Sequence, residues 1–287
     1  MMTKTIRLMY PDWQSGDNPV YYFGAQLLNW LAPQNTQQKL IKVPITPPQN
    51  KQPKLKLENG VTAQSEVIAN VHAAQKMLDV ELPDKIITLG GNCMVSQAPF
   101  SYLHDKYGED VGIVWIDAHP DISNPQIFSN EHAMVLANLM GKGDPELAKL
   151  VKHPFSNESI LYVGLQEPTA DEKKRLPELG LDYQLEDNQQ VDVEKIQAWI
   201  NQHHFSKILV HFDIDVLDRN LFFDQYFDKP GVTDYGVSGG KLDPDKASHV
   251  LKKLSADNDI VGLTIAEYLP WSALKLKEMM ENMSIFN

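Results

Sequence analysis

The sequence predicts an α/β fold, a mostly parallel sheet with helices over both faces. Three observations carry this. Short apolar runs rich in β-branched residues alternate with segments of helical periodicity along the whole 287-residue chain. Two of these runs, Val111–Ile116 and Lys207–Phe212, are nearly continuous in apolar character, as strands buried on both faces are. The notable polar clusters follow strands, which is where open α/β sheets bind ligands. No Gly- or Ser-rich linker interrupts the pattern, so residues 1–287 are expected to form a single domain.

Lys4–Tyr10 reads as the first strand, followed by a loop from Pro11 to Pro19 and a helix over Tyr21–Leu31. A second strand is expected over Ile41–Thr46, at a sheet edge because Pro44 cannot donate to a ladder. Pro47–Lys56, with three prolines and three lysines, reads as a solvated loop. Val67, Val71, Ala74 and Leu78 recur at three- and four-residue intervals, which predicts a helix over Thr62–Leu78. Lys85–Gly91 is a buried strand whose terminal glycines permit a tight turn before a helix over Val95–Tyr107. The Val111 strand leads through an Asn/Pro/Ser loop to helices over His132–Met140 and Pro145–Val151. Ser159–Leu165 is the next strand, Asp171–Leu179 and Val193–His203 are helices, and the Lys207 strand follows. A long irregular stretch, Asp218–Gly240, comes after it, and loops of that length commonly carry function. Pro244 in a first turn, between Asp243 and Asp245, opens a further helix. Ile260–Glu267 is the last buried strand and Ser272–Met283 a closing amphipathic helix.

The composition, 43% hydrophobic and 22% charged, is that of a globular protein and excludes disorder or a disulfide-stapled mini-fold. A net charge of -12 repels polyphosphates, so no nucleic-acid partner is expected, whereas a cationic small molecule would be attracted. The single cysteine, Cys93, allows no internal disulfide and fits a reducing compartment. The start Met-Met-Thr-Lys-Thr-Ile-Arg lacks the apolar core of a signal peptide, and no run approaches the ~20 apolar residues of a membrane span. A cytoplasmic location with no membrane partner is therefore expected.

The chemistry concentrates at two strand ends. Val111–Asp121 finishes in Asp117, His119 and Asp121, spaced by two, and Lys207–Asp215 finishes in Asp213 and Asp215. Alternate residues of a strand share a face, so each set can converge. Burying carboxylates together costs several kcal/mol each unless a cation neutralises them. One Asp after a strand would be a cap or loop residue. Asp-x-His-x-Asp with Asp-x-Asp on two apolar strands instead points to a metal site. Oxygen-rich ligation with one imidazole suits Mn2+, and the scarcity of thiolates argues against structural zinc. Trp115 and Phe212 read as core; His211 sits where it could touch a neighbouring side chain and carries no functional assignment. Gly90-Gly91 lacks the third glycine, or the Lys-Ser/Thr, of a nucleotide-binding loop.

Four segments resemble, in order and spacing, the signature regions of the ureohydrolases, the superfamily of arginases, agmatinases and formimidoylglutamases. They are Gly90-Gly91-Asn92-Cys93, Asp117-Ala-His-Pro-Asp121, Phe212-Asp-Ile-Asp-Val-Leu-Asp218 and Glu267. The resemblance implies a three-layer α/β/α sandwich with a binuclear Mn2+ centre at the carboxyl edge of the sheet, in a homo-oligomer of three or six chains. By the same resemblance Asp117 and Asp213 bridge two ions, His119 and Asp215 complete one site, and Asp121 with position 93 completes the other, Asp121 counting also as catalytic. The implied activity is hydrolysis of a C–N bond in a guanidino or formimino compound, releasing urea or a related amide. Glu267 would hold the cationic group, His132 would move protons to the leaving amine, and Ser123, Ser129 and Asn130 would partly bind the rest of the substrate.

The departures from that pattern are specific. Where the family carries Gly-Gly-Asp-His, this chain has Asn92 and Cys93. Cys93 either ligates as a thiolate, favouring Zn2+ or Fe2+, or leaves its site weak so that one ion binds, or packs as a small buried hydrophobe. His132-Ala133 stands for the usual His-Gly, and His132 is either a proton shuttle or an exposed helix-start histidine. Gly164-Leu-Gln-Glu-Pro-Thr169 lacks a clean counterpart to the acid with which arginases hold the amino-acid end of arginine, and Asp218-Arg219 replaces Asp-Pro. Two other readings stand beside the hydrolase. One is a catalytically silent member that binds a ligand or serves as an oligomer subunit. The other is a single-ion amide hydrolase like the fold-related deacetylases, whose His-His-Gly does not follow Asp213-Ile-Asp-Val here.

Overall fold

The computed structural model describes residues 3–49, 52–185 and 191–286. In chain order its strands are β1 (Thr5–Tyr10), β2 (Lys39–Lys42), the short pair β3 (Leu57–Glu58) and β4 (Val61–Thr62), β5 (Lys85–Gly90), β6 (Val111–Ile116), β7 (Ile160–Val163), β8 (Lys207–Asp213) and β9 (Ile260–Ala266). Its helices are α1 (Val20–Leu31), α2 (Gln64–Glu81), α3 (Gln97–Tyr107), α4 (Val135–Leu139), α5 (Pro145–Ala148), α6 (Ala170–Glu178), α7 (Val193–His203), α8 (Pro244–Asp257) and α9 (Ser272–Glu281). Seven strands form one sheet in the order β2-β1-β5-β9-β8-β6-β7, and each neighbouring pair is parallel. The expected α/β sandwich is what the chain forms.

The period of two shows why the layers are three. On β6, Ile113 and Trp115 pack into one core with residues of α2 and α3, while Val114 and Ile116 pack into a second core with residues of α7 and α8. Both faces of a single strand are therefore buried, each side chain contributing about 1.5–3 kcal/mol of apolar burial. Helix α2 turns Val67, Val71, Ala74 and Leu78 inward, the residues whose spacing predicts it.

Departures from expectation are local. The second strand occupies Lys39–Lys42, earlier than the expected Ile41–Thr46. Alternation does continue, with Val43 and Ile45 buried, and the Val43 amide donates to Met9 O at 3.0 Å. Pro44 has no N–H to extend the ladder further. The edge position holds, since β2 pairs only with β1 among the described residues. The β3–β4 hairpin was not anticipated, and α2 begins two residues after the expected Thr62. The helices expected at Val95 and His132 each open with a 3-10 turn, Cys93–Ser96 and Glu131–Met134.

The topology places the site. After β5 the chain passes to β6 across the positions that β9 and β8 later fill, so the carboxyl ends of β5, β9, β8 and β6 lie side by side. An open α/β sheet presents its ligand crevice at such a break in strand order.

Candidate metal centre

Each strand end delivers its ligands through a distinct local device. After β5, Gly91 lies so close to the Asp12 backbone that an added Cβ would meet Asp12 O at 1.8 Å. The Asn92 side chain then accepts from the Met94 amide at 3.0 Å and caps the 3-10 turn that carries Cys93. After β6, the His119 amide donates to Asp117 Oδ1 at 2.7 Å, and Asp121 is held at φ 49. After β8, the Asp215 amide donates to Asp213 Oδ1 at 2.7 Å in the same manner. After β9, Glu267 sits at φ 64 with its amide on Gly91 O at 3.0 Å. Left-handed backbone at a non-glycine residue costs of order 1–3 kcal/mol and clusters at functional sites. Asp121 and Glu267 both adopt it.

The side chains converge as the spacing predicts. Asp117, His119 and Asp215 bring one ligand atom each within 4.8 Å of one another, with His119 Nδ1 3.2 Å from Asp215 Oδ2 and 3.6 Å from Asp117 Oδ1. A second group joins Cys93, Asp213 and Glu267, in which the Cys93 thiol donates to Asp213 Oδ2 at 2.7 Å. A third joins Cys93, Asp117, Asp121 and His211. Asp117, Asp121, Asp213, Asp215 and Glu267 are all buried. Burial raises the carboxyls of Asp121 and Asp213 well above the usual range, and neighbouring carboxylates push the same way. Burial likewise raises the Cys93 thiol. At His119 burial opposes the charged form, but Asp215 and Asp117 outweigh it and hold the imidazole well above its ordinary value.

These residues fit a divalent cation. Asp121 Oδ2, Asp215 Oδ1 and His211 Nε2 are buried with no hydrogen-bond partner, which is costly unless something else satisfies them. A cation would satisfy such atoms and remove the repulsion among the carboxylates.

Two further residues prepare the mouth of the site. The Tyr21 hydroxyl donates to Glu267 Oε2 at 2.8 Å, and His132 Nδ1 lies 3.1 Å from Glu267 Oε1. His132 is thus a part-buried neighbour of Glu267, with its backbone amide on Ser15 O. Sequence reasoning did not find Tyr21, which comes from α1, a helix with no motif of its own. A cavity of about 400 Å3 opens above Cys93, His119, Asp121, Asp213 and Asp215, and His132 and Glu267 line its wall. Ser129 and Asn130, expected at the substrate, are not among its lining residues; the Ser129 carbonyl is instead taken by the Thr62 amide. Ser123, expected with them, does line it, together with Thr169 and Glu172. Glu167 is not among the lining residues and pairs with Lys173.

Residues 30–277 match the family model described as "Arginase family". An arginase of Saccharomyces cerevisiae is 38% identical over 205 residues, 64% of this chain and 56% of that protein. An arginase of Entamoeba histolytica is 32% identical over 113 residues, 38% of each chain. The chain therefore aligns with only about 38% to 56% of the length of these relatives. Among solved structures, the E. histolytica arginase in complex with L-ornithine has a TM-score of 0.78 at 20% identity, covering 98% of this chain and 97% of that one. Formimidoylglutamase from Bacillus subtilis has a TM-score of 0.64 at 13% identity, covering 94% and 80%. These likenesses are of fold. Because the family match runs unbroken through the strands β5, β6, β8 and β9 and the ligand cluster at their ends, the chain belongs to the Arginase family.

Proposed function

We propose that the protein is a metal-dependent hydrolase of a C–N bond in a cationic guanidino or formimino compound, releasing urea or a related amide. The observation that carries this is the juxtaposition, at one cavity, of the strand-end carboxylates with a Glu267 carboxylate fixed by Tyr21 and His132. Divalent ions held there, Mn2+ on the oxygen-rich side, would neutralise the carboxylates and make water nucleophilic near neutral pH. Glu267 is held by Tyr21 on Oε2 and by His132 and, at 3.5 Å, the Cys93 thiol on Oε1, and it faces the cavity, so it can orient a planar cation by charge-assisted bonds. His132 can hand a proton to a leaving amine bound beside Glu267. Asp171 and Glu172 add negative charge to the lining, and no Lys or Arg is found there among the described residues. That balance favours a guanidino amine over a guanidino acid, whose carboxylate would meet no Lys or Arg in the lining.

The same reading makes residues 1–287 one domain, supported by β1 and β9 lying in one sheet from opposite ends of the chain. It places the protein in the cytoplasm, supported by its lone cysteine, and in trimers or hexamers, as the resemblance implies. Among the described residues no helix is long and apolar enough to cross a membrane.

The test is release of urea, or of formamide from the formimino compound, by the Mn2+-loaded protein from a guanidino amine, arginine and a formimino amino acid side by side. Turnover of the amine, at least about tenfold above arginine in kcat/KM, is the expected result, tenfold corresponding to about 1.4 kcal/mol of transition-state preference. An intact fold that binds no ion and releases nothing from any of them would make the chain a catalytically silent family member.

A further inference from the structure

We propose that His211 supplies the imidazole that position 93 lacks, completing with Cys93, Asp117 and Asp121 a second metal site of softer character than the Asp117–His119–Asp215 group. This deepens the metal-centre reading above and rests on it.

The placement follows from strand periodicity. His211 lies two residues before Asp213 on β8, so both side chains leave the same face. In the parallel register His211 pairs with Trp115 on β6, and Asp117 follows Trp115 by two. His211 therefore sits one pleat beneath Asp213 and diagonally below Asp117 on the adjacent strand. Its Nε2 is 3.8 Å from Asp117 Oδ2, and ligand atoms of Cys93, Asp117, Asp121 and His211 all lie within 4.8 Å of one another. Four ligands around one ion, with bonds of 2.0–2.3 Å, stand about 3.3–3.8 Å apart, so an inward adjustment of about 1 Å closes the set.

Three observations separate this histidine from ordinary core filler. It is 0% exposed, yet its Nε2 has no hydrogen-bond partner. Its other nitrogen, Nδ1, is 2.8 Å from Ser96 Oγ. When Nδ1 carries the proton and donates it to Ser96, the Nε2 lone pair faces the cluster, which is the outer-shell arrangement that orients metal-bound imidazoles. The ring is stacked on Trp115 at 3.7 Å and 8°, so its direction is fixed. Ser96 itself belongs to the 3-10 turn that starts at Cys93, so one turn positions both the thiol and the imidazole's support.

The donor set then decides the ion. One thiolate, one imidazole and carboxylates favour a borderline ion such as Zn2+, Fe2+ or Co2+, whereas Asp117, His119 and Asp215 present oxygens and one imidazole, which suit Mn2+. The chain would hold two unlike ions, with the loss of histidine at 93 offset from β8, two strands away in the sheet.

Co2+ is the probe, because its optical spectrum reports thiolate ligation independently of turnover. The full-length wild type, His211→Asn and His211→Asn/Cys93→His are stripped, loaded with Co2+, desalted and analysed for metal. Wild type is expected to hold about two ions per chain with a thiolate-to-cobalt charge-transfer band. His211→Asn should keep about one ion and lose the band, and the double variant should regain the second ion without the band. Retention of both ions and the band by His211→Asn overturns the proposal while leaving the metal-centre reading intact. A wild type that binds one ion and shows no band does the same, and a wild type that binds none overturns both. Should His211→Asn fail to fold, the cobalt wild type still decides: two hyperfine-shifted imidazole N–H resonances support ligation by His119 and His211, and one refutes it.

Discussion

The two sides of the ligand cluster grow from the same strand ends but differ in access. On one side His119 is 22% exposed at the cavity floor, between Asp117 and Asp215. On the other, Cys93 and Asp121 border the same cavity at 4% exposure or less, His211 lies fully buried beneath its lining, and Asp121 Oδ2 and His211 Nε2 have no partner. The open side follows the sequence pattern residue for residue, while the closed side carries the substitution at position 93. A ligand at a wetted floor can be read from spacing along one strand. A ligand beneath it depends on which strand lies alongside.

Asp213 links the two sides, touching Cys93 through Oδ2 and the Asp215 amide through Oδ1. Asp213→Asn is therefore expected to have the largest effect: loss of metal from both sides and a fall in hydrolysis of about 10³-fold, the scale of removing a key charge-stabilising group. Ion counts on Asp121→Asn and Asp215→Asn sharpen the contrast, since each should lose metal from its own side alone. If Asp121→Asn also emptied the His119 side, the cluster would be one indivisible site and the comparison would fail.

Much of this was legible in the sequence, for physical reasons. Parallel strands buried on both faces must be apolar throughout, so β6 and β8 announced themselves, and polar residues at spacing two beyond them had to share a face. What was missed lies across the sheet or far along the chain. Tyr21 meets Glu267 over 246 residues of sequence, and no local period records such a contact. His211 could be placed only as a residue able to touch a neighbouring side chain, because its orphaned nitrogen is visible only once β6 and the Cys93 turn are packed on it. Ser129 and Asn130 were placed at the substrate by resemblance, but the Ser129 backbone is tied to Thr62 in the hairpin that the sequence did not reveal.

A smaller effect tests how the open side is aimed. Tyr21→Phe removes the hydrogen bond on Glu267 Oε2 and leaves His132 on Oε1, so the carboxylate can rotate away from the substrate. A hydrogen bond to a charged group is worth about 1.5–3 kcal/mol, and the lower figure corresponds to about tenfold. KM for the guanidino substrate should rise about tenfold with the ion count unchanged. A drop in bound metal instead would assign Tyr21 to the centre and not to substrate orientation.

The smallest effect is on stability, and its sign separates His211 from the other shifted groups of the cluster. In the metal-free chain Asp121 and Asp213 have raised carboxyls and His119 a raised imidazole, so the folded state holds protons that the unfolded chain gives up as pH rises. A group raised on folding contributes stability that is lost as pH climbs through its folded value. His211 works the other way, since burial lowers it to about 4 and its cost appears only below the ordinary histidine value of about 6.5. Above about pH 6.5 the raised groups alone remain, and the melting temperature in chelator should fall with increasing pH. Bound divalent ions replace those protons and bind more tightly as their ligands deprotonate, so the loaded protein should show a flat or rising profile. Asp121→Asn removes the closed side's carboxyl and should shallow the metal-free slope while leaving the part due to His119. A metal-free melting temperature that rises from pH 6.5 to 8.5 would mean that the carboxyls are ionised without an ion, and that the closed side is not under the strain its geometry implies.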